Sequence, residues 1–182
     1  MTYRFLKKGR RTIYFTVTFI LVFQVCRSRA QDFFAGTRGS LSLDNDGGRF
    51  HQLDAYGGVN LPWRWDFYRD WYLRPGGDIS AGWLGESGTS AFVGTVGPFF
   101  ELGKGRFPVR IKGGFAPTIL SRFRFPTKDF GDDLQFTTRI GLEWEMTRRF
   151  SVGAWFQHMS NGSISRSNPG LNLETLSLQY NF

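Results

Sequence analysis

Cysteine is almost absent from this chain. One thiol occurs in 182 residues, at Cys26, within the first thirty residues. If that leading segment is removed, the remaining protein has no thiol, which excludes disulfides, thiolate metal sites and cysteine redox chemistry. The sequence also contains no phosphate-binding loop and no cluster of metal-ligating residues. We therefore expect a protein that works without a metal or a cofactor.

Long hydrophobic runs are equally scarce. The one that stands out, residues 13–25, follows four basic residues and precedes the small residues Ser28 and Ala30. A helix that spans a bilayer needs about 20 apolar residues, so this run is too short for an anchor. A basic start, a short apolar stretch and small residues near its end are typical of a secretory signal peptide. We predict a signal peptide at residues 1–30 and one mature domain at residues 31–182.

An excess of positive charge is lacking outside the leader. The whole chain has 23 basic and 15 acidic residues, but seven of the basic residues and none of the acidic ones precede residue 31. The mature domain therefore has 16 basic and 15 acidic residues. Its charge gives no reason to expect binding to nucleic acid.

Aromatic residues and glycine, by contrast, are plentiful. The chain has 20 phenylalanines, six tryptophans and 23 glycines, yet beyond the leader its apolar residues are dispersed. Dispersed apolar residues in an exported chain favour either a soluble secreted β-protein or a membrane β-barrel. Turn-forming clusters divide the mature chain into eight strand-like segments. They are residues 36–44, 50–61, 71–84, 91–103, 107–121, 134–146, 149–160 and 172–182.

The last segment has the clearest two-residue period. From residue 175 to residue 182, polar and apolar side chains alternate strictly, and the chain ends in Phe182. Most segments reach the roughly 9–11 residues with which a tilted strand crosses a bilayer. Lipid cannot satisfy an open sheet edge, so strands of this kind must close on themselves. We predict an all-β fold, an eight-stranded antiparallel transmembrane β-barrel, with a soluble β-sandwich or lipocalin-like carrier as the alternative.

The strongest indication of chemistry comes near the C-terminus. His158 and Ser160 lie two residues apart in the seventh predicted strand, so their side chains share one face. Phe156 shares that face, and the apolar residues along it indicate the lipid-facing wall. A serine hydroxyl becomes a useful nucleophile when a neighbouring base takes its proton, and histidine suits that role near neutral pH. We expect both residues on the barrel exterior, at the level of the outer leaflet. His51 is expected at the rim or in the lumen.

The sequence around this pair resembles the signature of the lipid A 3-O-deacylase family. Residues 156–162 and 168–172 carry the resemblance, which covers the last two strands and the loop between them. It implies an outer-membrane serine esterase that hydrolyses the 3-O-linked acyl chain of lipopolysaccharide lipid A, with His158 and Ser160 as catalytic residues. The oligomeric state, monomer or homodimer, stays open.

The third catalytic position departs from the family pattern. The family's acid falls fourteen residues after the histidine, where this chain has Asn172. An asparagine can orient an imidazole through its carbonyl oxygen, but it adds no negative charge. Glu174 lies two residues on, on the same predicted face, and could supply a carboxylate. The strand register decides between them. The candidates for stabilising the oxyanion are Asn161, Gly162 and Asn168, which are also ordinary turn residues.

Two other functions remain compatible with the sequence. The missing acid at Asn172 also suits a catalytically inactive barrel, with a structural or adhesin-like role. Another lipid A-modifying barrel, such as an acyltransferase, fits the motif less well.

Overall fold

The strand pattern predicted from the sequence is confirmed by the fold. A computed structural model describes residues 33–42 and 48–182, and the predicted signal peptide lies outside these residues. Within these described residues, nine antiparallel strands follow one another. They are β1 Phe33–Ser42, β2 His51–Asn60, β3 Trp65–Phe67, β4 Trp71–Glu86, β5 Thr89–Lys104, β6 Val109–Leu120, β7 Leu134–Glu145, β8 Phe150–Ser160 and β9 Leu171–Asn181.

Eight of these strands close into a barrel. Neighbours in the chain pair with one another from β4 to β9, β9 pairs with β1, and β2 pairs with both β1 and β4. Each long strand therefore has a partner on both sides, which leaves no open edge to lipid. The fold is therefore the predicted eight-stranded antiparallel barrel, and not the soluble β-sandwich or lipocalin-like carrier that was its alternative.

The short strand β3 was not predicted. It lies in the long connection between β2 and β4, and its three residues pair with the first residues of β4. A single 3-10 turn at Tyr68–Asp70 completes this connection. Among the described residues, no helix is long and apolar enough to cross a bilayer.

The outer face of the barrel is strongly apolar. Side chains alternate between buried and exposed positions along each long strand, and the exposed set includes tryptophan, leucine and isoleucine. Examples are Leu53, Ile79, Trp83, Val96, Ile140, Leu142, Trp144, Leu176 and Leu178. Large apolar side chains that face outward around a closed barrel indicate burial in a lipid bilayer.

The lumen is filled by two kinds of side chain. Ion pairs fill its middle, where Lys112 contacts Glu143 at 2.7 Å and Glu101 at 3.4 Å, and where Asp78 contacts Arg38 at 3.3 Å and Arg139 at 2.9 Å. An apolar cluster, here called the loop-end cluster, fills the end of the lumen under the longer loops. Its buried members are Phe50, Leu84, Ala91, Val93, Leu120, Phe125, Phe130, Met159, Leu171 and Leu173.

Candidate active site

The predicted catalytic pair lies on the outer wall of the barrel. In β8 the side chains of Gln157 and Met159 are buried, whereas His158 is exposed and Ser160 is half-buried. This alternation follows from the two-residue period of a strand, which sends neighbouring side chains to opposite faces. His158 and Ser160 are therefore on the lipid-facing wall, close to the end of β8 that leads into the longer loops.

The strand register places Asn172 beside the histidine. His158 pairs directly with Asn172 of β9, and Nδ1 of the imidazole lies 2.7 Å from Oδ1 of the asparagine. When the amide oxygen accepts a hydrogen bond from the Nδ1–H group, the Nε2 atom keeps a lone pair with which it can take a proton. Glu174 pairs with Phe156 instead, two residues further from the loops along each strand. Of the two orienting groups that the sequence left open, the register brings Asn172 to the ring.

Ser160 lies next along the same face, opposite Phe136 of β7. Two residues on one face of a strand are about 7 Å apart along the backbone, so the two side chains must lean towards each other to meet. Among the described residues, no hydrogen bond joins the hydroxyl of Ser160 to His158. Catalytic hydrogen bonds are often long or unformed in the absence of substrate and tighten in the reactive complex.

Gly170, which lies in the segment 168–172 that carries the family resemblance, packs beside the imidazole just before β9. A Cβ atom at this position would lie 3.1 Å from Cε1 of His158, which is tighter than ordinary van der Waals contact. Its φ of +65° is also in the left-handed region that favours glycine. Both observations explain why a glycine precedes β9; the sequence placed Gly170 within the signature but did not reveal its contact with His158.

Asn161 organises the loop between β8 and β9. Its side chain is fully buried, its Nδ2 donates to the carbonyl oxygens of Phe130 at 2.8 Å and Ser167 at 2.7 Å, and its Oδ1 accepts from the amide of Ser163 at 2.9 Å. Both hydrogens of this amide are therefore occupied by backbone carbonyls. The structure does not bring the Asn161 side chain to the outer wall beside His158.

Asn168 is held by the same loop but remains exposed. Its Oδ1 accepts a hydrogen bond of 3.1 Å from the backbone amide of Asn161, which directly follows Ser160. Since the oxygen is fixed in this way, the Nδ2 group carries the donors that remain available for a ligand. Gly162 is exposed as well, with a φ of +61° and the ring of Phe136 beside it.

The other histidine lies elsewhere on the rim. His51 is exposed at the start of β2, opposite Gly85, and β1 and β9 separate β2 from β8. In the part of the chain that the structure describes, no three His, Cys, Asp or Glu side chains are grouped so that they could hold a metal ion.

The fold and the site together define a transmembrane β-barrel with a histidine, a serine and an orienting amide on its lipid-facing wall. A family model described as lipid A 3-O-deacylase (PagL) matches residues 55–181, well over half of the chain. The chain belongs to the lipid A 3-O-deacylase (PagL) family.

Individual relatives agree with this assignment. The lipid A deacylase PagL of Bordetella bronchiseptica is 35% identical over 72 residues, a match that covers 40% of this chain and 40% of that protein. The matched segment therefore covers well under half the length of this curated relative. The crystal structure of the outer membrane enzyme PagL superposes with a TM-score of 0.67 and 18% identity, over 82% of this chain and 99% of the other.

More distant barrels share only the fold. The N-terminal β-barrel domain of Pseudomonas aeruginosa OprF gives a TM-score of 0.52 at 13% identity, over 84% of this chain and 98% of that one. A likeness of this kind shows the fold alone, and functional arguments must come from the site on the wall.

Proposed function

We propose that this protein is an outer-membrane serine esterase that hydrolyses the 3-O-linked acyl chain of lipopolysaccharide lipid A in the outer leaflet. Membership of the lipid A 3-O-deacylase (PagL) family supports the reaction class and the substrate. The observation that carries the proposal is the position of His158 and Ser160 on the lipid-facing wall, near the loops. A lipid ester can reach such a site from the side, without leaving its leaflet.

The reaction begins with Ser160. Its Oγ attacks the carbonyl carbon of the ester while Nε2 of His158 takes the hydroxyl proton. The Oγ–carbon bond forms, and the carbonyl oxygen becomes an oxyanion. The Nδ2 group of Asn168 is the donor we assign to this oxyanion, because its partner oxygen is fixed on the backbone of Asn161. The buried amide of Asn161 then serves to shape the loop.

The intermediate collapses with cleavage of the bond to the sugar oxygen. That oxygen takes the proton from Nε2 of His158 and leaves as the hydroxyl of the sugar, while the acyl group stays on Ser160 as an ester. A water molecule then attacks this ester, again with His158 as the base, and the fatty acid is released. Throughout, Asn172 holds the imidazole in the tautomer that leaves Nε2 free to act. Residues of one chain suffice, so the mechanism needs no second copy.

The decisive experiment compares Ser160→Ala with the wild-type protein and with Ser163→Ala. Ser163 is an exposed serine in the adjoining loop, so its replacement is a matched control. The three proteins are expressed in cells whose lipid A carries the 3-O-linked chain, and lipid A is analysed by mass spectrometry. We expect the wild type and Ser163→Ala to remove one 3-hydroxy acyl chain and Ser160→Ala to remove none. Equal removal by all three proteins would eliminate Ser160 as the nucleophile.

A catalytically inactive barrel is the second candidate, and Asn172 is the observation that favours it. An amide cannot stabilise the imidazolium through charge as a carboxylate does. Intact lipid A in cells that contain correctly folded wild-type protein would select this second candidate. Heat-dependent migration in gel electrophoresis verifies that the barrel has folded.

A further inference from the structure

We propose that the loop between β6 and β7 positions the catalytic histidine, and that Lys128 is its point of contact with the site. This loop, residues 121–133, is called the strap below. The proposal rests on the proposed function, since it concerns the same site. It assigns a positioning role to residues that neither touch the ester nor lie on the outer wall beside His158.

The strap has an ordered conformation of its own. Arg124 and Asp129 form an antiparallel bridge, the amide of Phe125 donates to the carbonyl of Lys128 at 2.8 Å, and the amide of Phe130 donates to the carbonyl of Phe123 at 2.9 Å. The rings of Phe125 and Phe130 are buried in the loop-end cluster, at 5.3 and 5.9 Å from the ring of Phe50. A small hairpin with two buried aromatic anchors can transmit a displacement as one unit.

The middle of the strap is fixed to the far side of the barrel. Glu86, at the end of β4, is fully buried. Its carboxylate accepts hydrogen bonds from the hydroxyl of Thr127 at 2.8 Å and from the amide of Thr127 at 3.3 Å. Burial makes loss of these bonds costly, because a carboxylate without donors is strongly disfavoured away from water. Strand β4 is separated from β8 by three strands in one direction, so this anchor is remote from the site.

The three residues that follow Thr127 in the strap hold the loop that precedes β9. The Nζ of Lys128 donates to the carbonyl oxygen of Gly170 at 3.1 Å, and the hydroxyl of Ser167 donates to the carbonyl of Asp129 at 2.7 Å. The amide of Asn161 reaches the carbonyl of Phe130 at 2.8 Å. Three hydrogen bonds therefore join the strap to the loop between β8 and β9.

The bond from Lys128 is the one that leads directly to the catalytic side chains. Gly170 lies between the ammonium of Lys128 and the ring of His158, and Asn172 follows it two residues later at the start of β9. Any shift of Gly170 moves the group that packs on the imidazole and the group that hydrogen-bonds to it. A misplacement of about 1 Å at a reacting group can cost as much as 10²-fold in rate.

The test compares Lys128→Met, Lys128→Arg and Thr127→Val with the wild-type protein, and uses Arg124→Met as the matched control. Arg124 belongs to the same strap and carries the same charge, but the partners described for its exposed side chain, Asp129 and the ring of Phe123, both lie within the strap. Two quantities are measured in detergent-folded protein. The first is the NMR signal and solvent exchange of the Nδ1 proton of His158, assigned with His51→Gln. The second is the reactivity of the site, given by the rate at which a fluorophosphonate labels Ser160 and by kcat and KM on lipid A.

We expect Lys128→Met to speed exchange of the Nδ1 proton and to lower both the labelling rate and kcat about tenfold, with KM unchanged. Thr127→Val should act in the same direction by about threefold, since it weakens the remote anchor. Lys128→Arg should keep most of the wild-type values, because a guanidinium can also donate to the carbonyl of Gly170. Arg124→Met should match the wild type.

Two results would overturn the proposal. If Lys128→Met leaves proton exchange and labelling unchanged and raises KM, then Lys128 acts by contacting the substrate and not by positioning the histidine. If Arg124→Met lowers the labelling rate as much as Lys128→Met, then loss of loop charge explains both. A proton exchange that depends on Lys128 in a protein whose Ser160 is not labelled would support the strap while refuting the proposed esterase.

Discussion

The lumen and the outer wall of this barrel treat polar side chains in opposite ways. In the lumen, Lys112 is 4% exposed and contacts two carboxylates, those of Glu101 and Glu143. On the wall, the side chain of His158 is exposed, and its Nδ1 atom lies 2.7 Å from Oδ1 of Asn172. Buried charges must be paired to be tolerated, whereas a polar group on a lipid-facing wall is costly and marks a function. In the lumen the polar side chains are paired with one another, whereas on the wall the polar pair is the one to which we assign the proposed chemistry.

The first test of this comparison is Lys112→Met, which should have the largest effect on stability. The change leaves Glu101 and Glu143 without their shared cation in the lumen, and breaking a buried pair costs about 3–5 kcal/mol. Urea unfolding followed by heat-dependent migration measures this loss. Lys104→Met, at an exposed strand end, is the control and should change stability by less than about 0.5 kcal/mol.

The activity per folded molecule of Lys112→Met should match the wild type. An equal loss of kcat would mean that the lumen and the wall are not separable in the way we describe.

The second test removes the orienting group on the wall. Asn172→Leu should lower kcat about 10²-fold, because the imidazole loses the acceptor that fixes its tautomer. Asn172→Asp should raise kcat about tenfold, because a carboxylate also stabilises the imidazolium. Both are measured as initial rates of fatty acid release from lipid A in micelles. If both variants behave like the wild type, then Asn172 does not orient His158.

The third test concerns the packing of Gly170 against the imidazole of His158. Gly170→Ala places a methyl group 3.1 Å from Cε1 of His158 and forces a φ of +65° on an alanine. We expect kcat to fall about tenfold through displacement of the ring, and stability to fall by about 1 kcal/mol. Gly162→Ala offers a comparison, since its φ is also positive and its Cβ would contact Phe136 at 3.4 Å. A loss of the same size in Gly162→Ala would attribute the effect to backbone strain alone.

The smallest effect is expected for Glu174→Gln. This carboxylate lies on the wall, but Glu174 pairs with Phe156, which is two residues away from the histidine along β8. We expect kcat to change by less than about twofold, because the strand register places Asn172, and not Glu174, beside the imidazole. A tenfold loss would assign the role of the missing acid to Glu174.

The faces of the strands could be predicted from the sequence, but the register between β8 and β9 could not. A two-residue period tells which side chains share a face, and it placed His158 and Ser160 together on the wall. A shift of two residues keeps every side chain on the same face, so periodicity cannot choose between Asn172 and Glu174. In the observed register, the loop between β8 and β9 is hydrogen-bonded to Lys128 and Phe130, which are distant from it in the sequence.

Asn161 illustrates the same limit. Its position next to Ser160 suggested an oxyanion donor, but its amide is occupied by Phe130, thirty-one residues away. Strand β3 escaped prediction for a different reason, since three residues are too few to reveal a period. Local patterns thus predicted the barrel and the shared outer face of His158 and Ser160, while the arrangement of the loops depends on packing between segments that are distant in the chain.

The sideways opening of the site has a kinetic consequence. A substrate that reaches His158 and Ser160 along the wall arrives by two-dimensional diffusion within one leaflet. Its encounter frequency then scales with the number of lipids per unit of membrane area and with their lateral mobility, not with concentration in a volume of water. Because the loop-end cluster fills this end of the lumen, the proposed reaction would draw its water from the headgroup layer above the rim.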